Sequence, residues 1–128
     1  MSPLLAVDFD GVLCNSKFPA ANSQNWLNKS LLWYVKRKQS KGWLITLWTC
    51  RENDGHPNFK DSRKFALSFL WEHDFVPDFV NENDPVRTAM FGSDSRKLGA
   101  DRFIDDRNVG LLGAFLRFVD KRSKIKNA

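Results

Sequence analysis

The chain has 128 residues, 42% hydrophobic and 27% charged, proportions that fit one globular domain with a single core. Its net charge of +5 is gathered in two places: Lys36, Arg37, Lys38 and Lys41, and a tail after Asp120 carrying Lys121, Arg122, Lys124 and Lys126, without which the body is close to neutral. Two cysteines, Cys14 and Cys50, make neither a metal-spaced pair nor a disulfide framework, and no secretory leader or membrane-length apolar run is visible, so a reducing cytoplasm and no membrane partner are expected.

Leu4 to Phe9 is a short apolar run closed by Gly11 and reads as a buried parallel strand. Asn15 to Asn25 is polar and reads as a loop. A helical pattern then runs from about Gln24 to Lys38, with Leu27, Leu31, Tyr34 and Val35 on one face, Asn22 or Ser23 as its cap and Gly42 as its stop. Trp43 to Trp48 is the second strand, ending at Thr49-Cys50-Arg51. Asp61 is placed to cap a helix reaching about His73, with Phe65, Ala66, Phe69 and Leu70 inward. Asp78 to Val80 is a brief third strand. Asn81 to Ser95 reads as a long polar loop, and Arg102 to Ile104 as a fourth strand leading to Asp105-Asp106. A last helix carries Leu112, Phe115, Leu116 and Val119 on one stripe.

Strands alternating with helices predict an α/β domain with a parallel sheet and right-handed crossovers. Residues 1–120 form that domain and 121–128 the basic tail. Three strands end in polar residues: Asp8 to Asp10, Thr49, and Asp105-Asp106. In open α/β sheets, ligands bind at that carboxyl edge.

Asp8 and Asp10 stand two residues apart in extended chain, so their side chains share a side. Two carboxylates so close repel each other, and a divalent cation with a taste for hard oxygen donors relieves this, which favours magnesium. Gly11 permits the sharp turn that follows. A calcium loop is the other reading of Asp-x-Asp-Gly, but Val12-Leu13 follows and no closing Glu is present.

Taken in order, Asp8-Phe9-Asp10-Gly11, Thr49, Lys97 and Asp105-Asp106, each in the context of an apolar strand or the loop before one, resemble the four motifs of the haloacid dehalogenase superfamily. The resemblance covers roughly Leu4 to Leu112. The segments around Thr49 and from Arg96 to Arg107 also look like a subgroup of short, poorly characterised members. It implies a three-layer Rossmann-like fold with a small central parallel sheet, and a phosphatase. In such an enzyme Asp8 is the nucleophile that forms an aspartyl-phosphate. Asp10 is the acid and base, Thr49 donates to the phosphoryl oxygens, and Lys97 neutralises charge. Magnesium is held by Asp8, the Asp10 carbonyl and Asp105, with Asp106 close by. Arg51 is a weaker candidate for substrate contact, with surface charge as its other reading. Cys14 reads as a buried filler, His56 as a minor candidate near the site, and His73 as a helix-end residue.

Neither gap between motifs holds an extra folded domain, so the resemblance is to a member without a cap, with the Asn81 to Ser95 loop as substitute lid. An open site of that kind leads to the expectation of a bulky phosphorylated substrate or a second subunit over the site. Nucleic-acid end processing is the alternative function, suggested by the basic tail and the five Trp. A non-enzymatic domain, either a receiver-like phosphate acceptor or an inactive interaction module, is the other alternative, but in a receiver the acidic pair comes first and the acceptor Asp later, the reverse of the order here.

Overall fold

Strand β1, Leu4–Val7, is buried at all four positions. A run with no polar side has no face to give to water, and it takes the interior of a parallel sheet. A computed structural model of the chain describes residues 1–16, 21, 23–51, 61–94 and 98–126. In it β1 lies between β2 (Leu44–Leu47) and β4 (Arg102–Ile104), and β3 (Phe79–Val80) adds to the far side of β2, giving the order β3-β2-β1-β4 with every pairing parallel. Val7 is level with Leu47 on one side and Ile104 on the other. Two more backbone bonds continue the ladder, Trp48 N–H to Val7 O at 2.8 Å and Asp8 N–H to Ile104 O at 2.9 Å. Trp48, Asp8 and Asp105 therefore leave the sheet side by side at its carboxyl edge. The architecture is α/β, a four-stranded parallel sheet flanked by helices.

Helix α1, Trp26–Ser40, is capped by Asn25, not by Asn22 or Ser23 as the sequence suggests. Asn25 and Asn28 exchange side-chain bonds with each other's backbone N–H, both at 2.9 Å, which satisfies two of the orphan donors at a helix start. The cap lies two or three residues further on because its partners are there. The buried Asn28 amide also donates to Val12 O at 2.8 Å, and Gln24 to Leu13 O at 2.9 Å. Leu27, Leu32 and Val35 are buried, with Leu31 and Tyr34 packed at the edge, and Gly42 at φ 96 ends the helix.

Helix α2, Ser62–Glu72, buries Ala66, Phe69 and Leu70, while Phe65 is half exposed. Asp61 precedes it at φ 62 and makes no side-chain cap bond. The expected inward Phe65 and the Asp61 cap are both corrected. His73 ends the helix, as expected, and its Nδ1 donates to Phe69 O at 2.8 Å.

The segment read as a long loop holds helix α3, Pro85–Phe91. Asp84 caps it by accepting from Val86 N–H at 3.1 Å, Pro85 supplies the preset first-turn φ, and Gly92 closes it at φ 78. These start and stop signals stand in the sequence. The apolar periodicity that would accompany them is missing, because Val86, Met90 and Phe91 are exposed. What anchors α3 instead is the buried Arg87, which donates to Gly99 O, Ser2 O and the Asp101 carboxylate.

Helix α4, Leu111–Lys126, continues through most of what the sequence reading sets apart as a tail. Its inward stripe is Gly113, Leu116, Val119 and Asp120; Leu112 and Phe115 are on the exposed side of that line, not in it. No described helix is long and apolar enough to cross a membrane.

Candidate active site

The turn after β1 brings the site together. Phe9 is fully buried and its carbonyl accepts from Val12, Leu13 and Cys14 N–H, folding the chain back on itself. Gly11, at φ 80, occupies a conformation that favours glycine. A Cβ built on it would also collide with the Asp106 carboxylate. Replacing Gly11 by Ala should therefore push Asp106 aside and strain the turn, lowering stability by roughly 1–3 kcal/mol. Urea titration checks this, and an unchanged midpoint would mean that the two strand ends are further apart.

Carboxylate oxygens of Asp8, Asp105 and Asp106 lie within 4.8 Å of one another, all on half-buried side chains. Asp8 Oδ1 accepts from Phe9 N–H at 2.8 Å, and Asp105 Oδ1 from Arg107 N–H at 2.8 Å. Burial, then the Asp105 charge, push the Asp8 carboxyl up to about 8, and burial followed by its hydrogen bond with Asp105 raises Asp106. Without a cation, Asp8 and Asp106 therefore keep their protons to higher pH than exposed carboxylates do. The loop behind them is clamped by Arg117 of α4, which donates to Asp106 O at 2.6 Å and Asn108 O at 2.9 Å. Gly113 lets α4 come that close, since any side chain there would run into Asn108 O.

Asp10 lies on the same turn, but its carboxylate is held outside this triad. Arg51 Nε donates to Asp10 Oδ2 at 2.9 Å and Nη2 to Oδ1 at 2.7 Å, a two-point fork. Arg51 is fully buried, its third nitrogen donates to Ser62 O at 3.2 Å, and the guanidinium stacks over Phe9 at 5.0 Å. So Arg51 is not surface charge: it is the partner of Asp10, and it ties β1, β2 and the start of α2 together. No spacing in the sequence announces this, because the pair is 41 residues apart.

Thr49 is half-buried at the end of β2, beyond Trp48. Its hydroxyl oxygen accepts from Arg51 N–H at 3.2 Å, which leaves the hydroxyl proton for another acceptor. Asn81, at φ 54, turns its amide so that Oδ1 accepts from Thr49 N–H at 2.8 Å. Lys97 and His56 lie outside the described residues. Cys14 is fully buried, and burial, then the Asp10 charge, raise its thiol far beyond reactivity.

The donor set of the triad, three carboxylates and no nitrogen or sulfur, fits a hard divalent cation such as magnesium. No family model matches this chain, and no curated protein matches it. The chain is similar to a solved structure of a conserved protein from Bacteroides thetaiotaomicron, with a TM-score of 0.67 and 24% identity over 95% of this chain and 93% of that one. At that identity the likeness speaks for the fold alone, a parallel α/β sheet flanked by helices.

Proposed function

We propose that the protein is a phosphohydrolase of the haloacid dehalogenase type, which cleaves a phosphate monoester through an aspartyl-phosphate on Asp8 with magnesium as cofactor. The observation that carries the reading is the convergence of Asp8, Asp105 and Asp106 within 4.8 Å, from two adjacent strand ends, beside an Asp10 that is held apart.

Asp8, Asp105 and Asp106, with the Asp10 carbonyl, would hold the magnesium, which supplies positive charge against an incoming phosphate dianion. The chain's own residues do the rest. An Asp8 oxygen bonds to phosphorus as the ester oxygen leaves and takes a proton from Asp10. In the second half Asp10 takes a proton from water, the water oxygen bonds to phosphorus, and the Asp8–phosphorus bond breaks to give inorganic phosphate. Arg51 uses one lone pair on each Asp10 oxygen, so the other stays available for the proton. Thr49 donates its hydroxyl proton to a phosphoryl oxygen, and Lys97 adds charge there.

Hydrolysis of a panel of phosphate monoesters with magnesium, abolished by chelator and restored by the metal, is the expected result. Full turnover in chelator, or no turnover of any ester, would refute the proposal.

A pH effect follows from Asp8. Its carboxyl titrates at about 8 in the folded, metal-free protein against about 4 in an unfolded chain. The folded state therefore holds the extra proton across that window, and its stability falls as pH rises through it. Magnesium replaces the proton and removes the repulsion. Its addition should raise the melting midpoint more at about pH 8 than at about pH 5. Equal shifts at both, measured by calorimetry, would place the metal elsewhere.

A further inference from the structure

We infer that the outer surface of α1 and α4 is a binding track for single-stranded nucleic acid. The charge of the chain is divided sharply. Helix α1 carries Lys29, Lys36, Arg37 and Lys38 and no acid, and α4 carries five basic residues and one acid, Asp120. That Asp120 is buried against Ser16, accepting from its N–H at 2.9 Å and its hydroxyl at 2.7 Å. The remainder of the chain has eleven basic and fourteen acidic residues and is net negative. The positive charge of the whole protein thus resides on two neighbouring helices, the electrostatic footprint of a polyanion partner.

Aromatic side chains share that surface. On α1, Trp26, Lys29, Trp33 and Arg37 fall on one stripe and are all exposed, with Trp26 at 59% and Trp33 at 62%. On α4, Phe115, Phe118 and Arg122 do the same. The stripes meet where Trp26 packs edge-on against Phe115, centroids 5.7 Å apart. Beside that contact is a groove of about 400 Å³ lined by Asn25, Trp26, Phe118, Val119 and Arg122 among others. Arg37 lies over Trp33 at 5.6 Å and Arg122 over Phe118 at 5.9 Å.

Alternating flat rings and cations suit a strand whose bases stack while its phosphates pair. An anionic lipid surface selects a different pattern, an apolar face on one side of a helix and the charges on the other. Here rings and cations occupy the same stripe.

The test is fluorescence anisotropy of a labelled oligothymidylate of about fifteen nucleotides against the full chain, without turnover, so it succeeds or fails apart from the hydrolase reading. Binding should weaken at least about tenfold between roughly 50 and 200 mM salt. Trp26→Ala with Trp33→Ala should weaken it about tenfold or more, Trp33→Phe should largely restore it, and Arg37→Glu with Arg122→Glu should abolish it. Trp71→Ala, an exposed ring on α2, should change nothing. These side chains are exposed, so the variants should fold, which circular dichroism checks. Absence of binding at low salt would overturn the inference. So would binding indifferent to the Trp substitutions, or binding to phosphatidylserine vesicles in place of the oligonucleotide.

Discussion

Asp8→Asn should leave a folded protein whose magnesium-dependent phosphatase activity has fallen by about a thousandfold or more. The proposed reaction needs an Asp8 oxygen to bond to phosphorus, and a neutral amide is a poor nucleophile of nearly the same shape. The loss should appear in kcat, since the substitution removes the bond-forming group while Thr49 and the rest of the edge stay in place. Stability should move the other way. In the metal-free protein at about pH 8 the Asp8 carboxyl is caught between burial and the charges of Asp105 and Asp106, and an amide removes that repulsion. The melting midpoint in chelator should therefore hold steady or rise, and the midpoint shift caused by magnesium should shrink. An enzyme that keeps activity within tenfold of wild type would show that Asp8 is not the nucleophile. A variant that unfolds would show that the carboxylate is structural.

Arg51→Ala should cost about 3 kcal/mol or more of stability. The side chain is fully buried, and its removal leaves the Asp10 carboxylate, only 25% exposed, without the fork that holds both oxygens. It also opens a void under Phe9 and removes the Arg51 donor from Ser62 O at the start of α2. Arg51→Lys separates charge from geometry: an ammonium keeps the charge and cannot make two parallel bonds. It should recover much of the stability but little of the rate, because Asp10 is then no longer held in one orientation. Urea unfolding of the two variants, with Asp10→Asn and the Arg51→Ala, Asp10→Asn double substitution, closes a cycle in which the coupling should exceed about 1 kcal/mol. A coupling near zero, or an Arg51→Ala protein as stable as wild type, would contradict the buried pair.

The other substitutions grade below these two for a physical reason. Gly11→Ala displaces one carboxylate within the turn, whereas Arg51→Ala disconnects β1, β2 and α2 at once.

Much of the fold was legible in the order of apolar runs. Leu4 to Val7, Leu44 to Leu47 and Arg102 to Ile104 are all strands, and their polar ends gather at one edge. Strand ends are local features, and a parallel sheet aligns carboxyl ends by its own geometry, so Asp8, Thr49 and Asp105 could be nominated from the chain alone. Chemistry at an edge needs little more than the residue type and its distance from the end of a strand.

What the sequence left undecided depended on partners far along the chain. Whether Phe65, Leu112 and Phe115 turn inward is set by which helix face meets the sheet, and a helical repeat defines a face only to within one neighbouring position. The start of α1 was settled by Asn28 reaching Val12 O, and α3 was held by Arg87 reaching Asp101, contacts that give no periodic signal. Arg51 is the plainest case. Its sequence neighbours, Cys50 and the polar stretch after it, look like surface, and only the closing of β2 beside β1 puts its guanidinium under Phe9 and onto Asp10. By itself the chain determined the sheet and the acidic edge, because hydrophobic runs and carboxylate spacing are written locally. The burial of a charge was decided only by the tertiary structure, because a charge enters the interior only where a partner of opposite sign has already been brought.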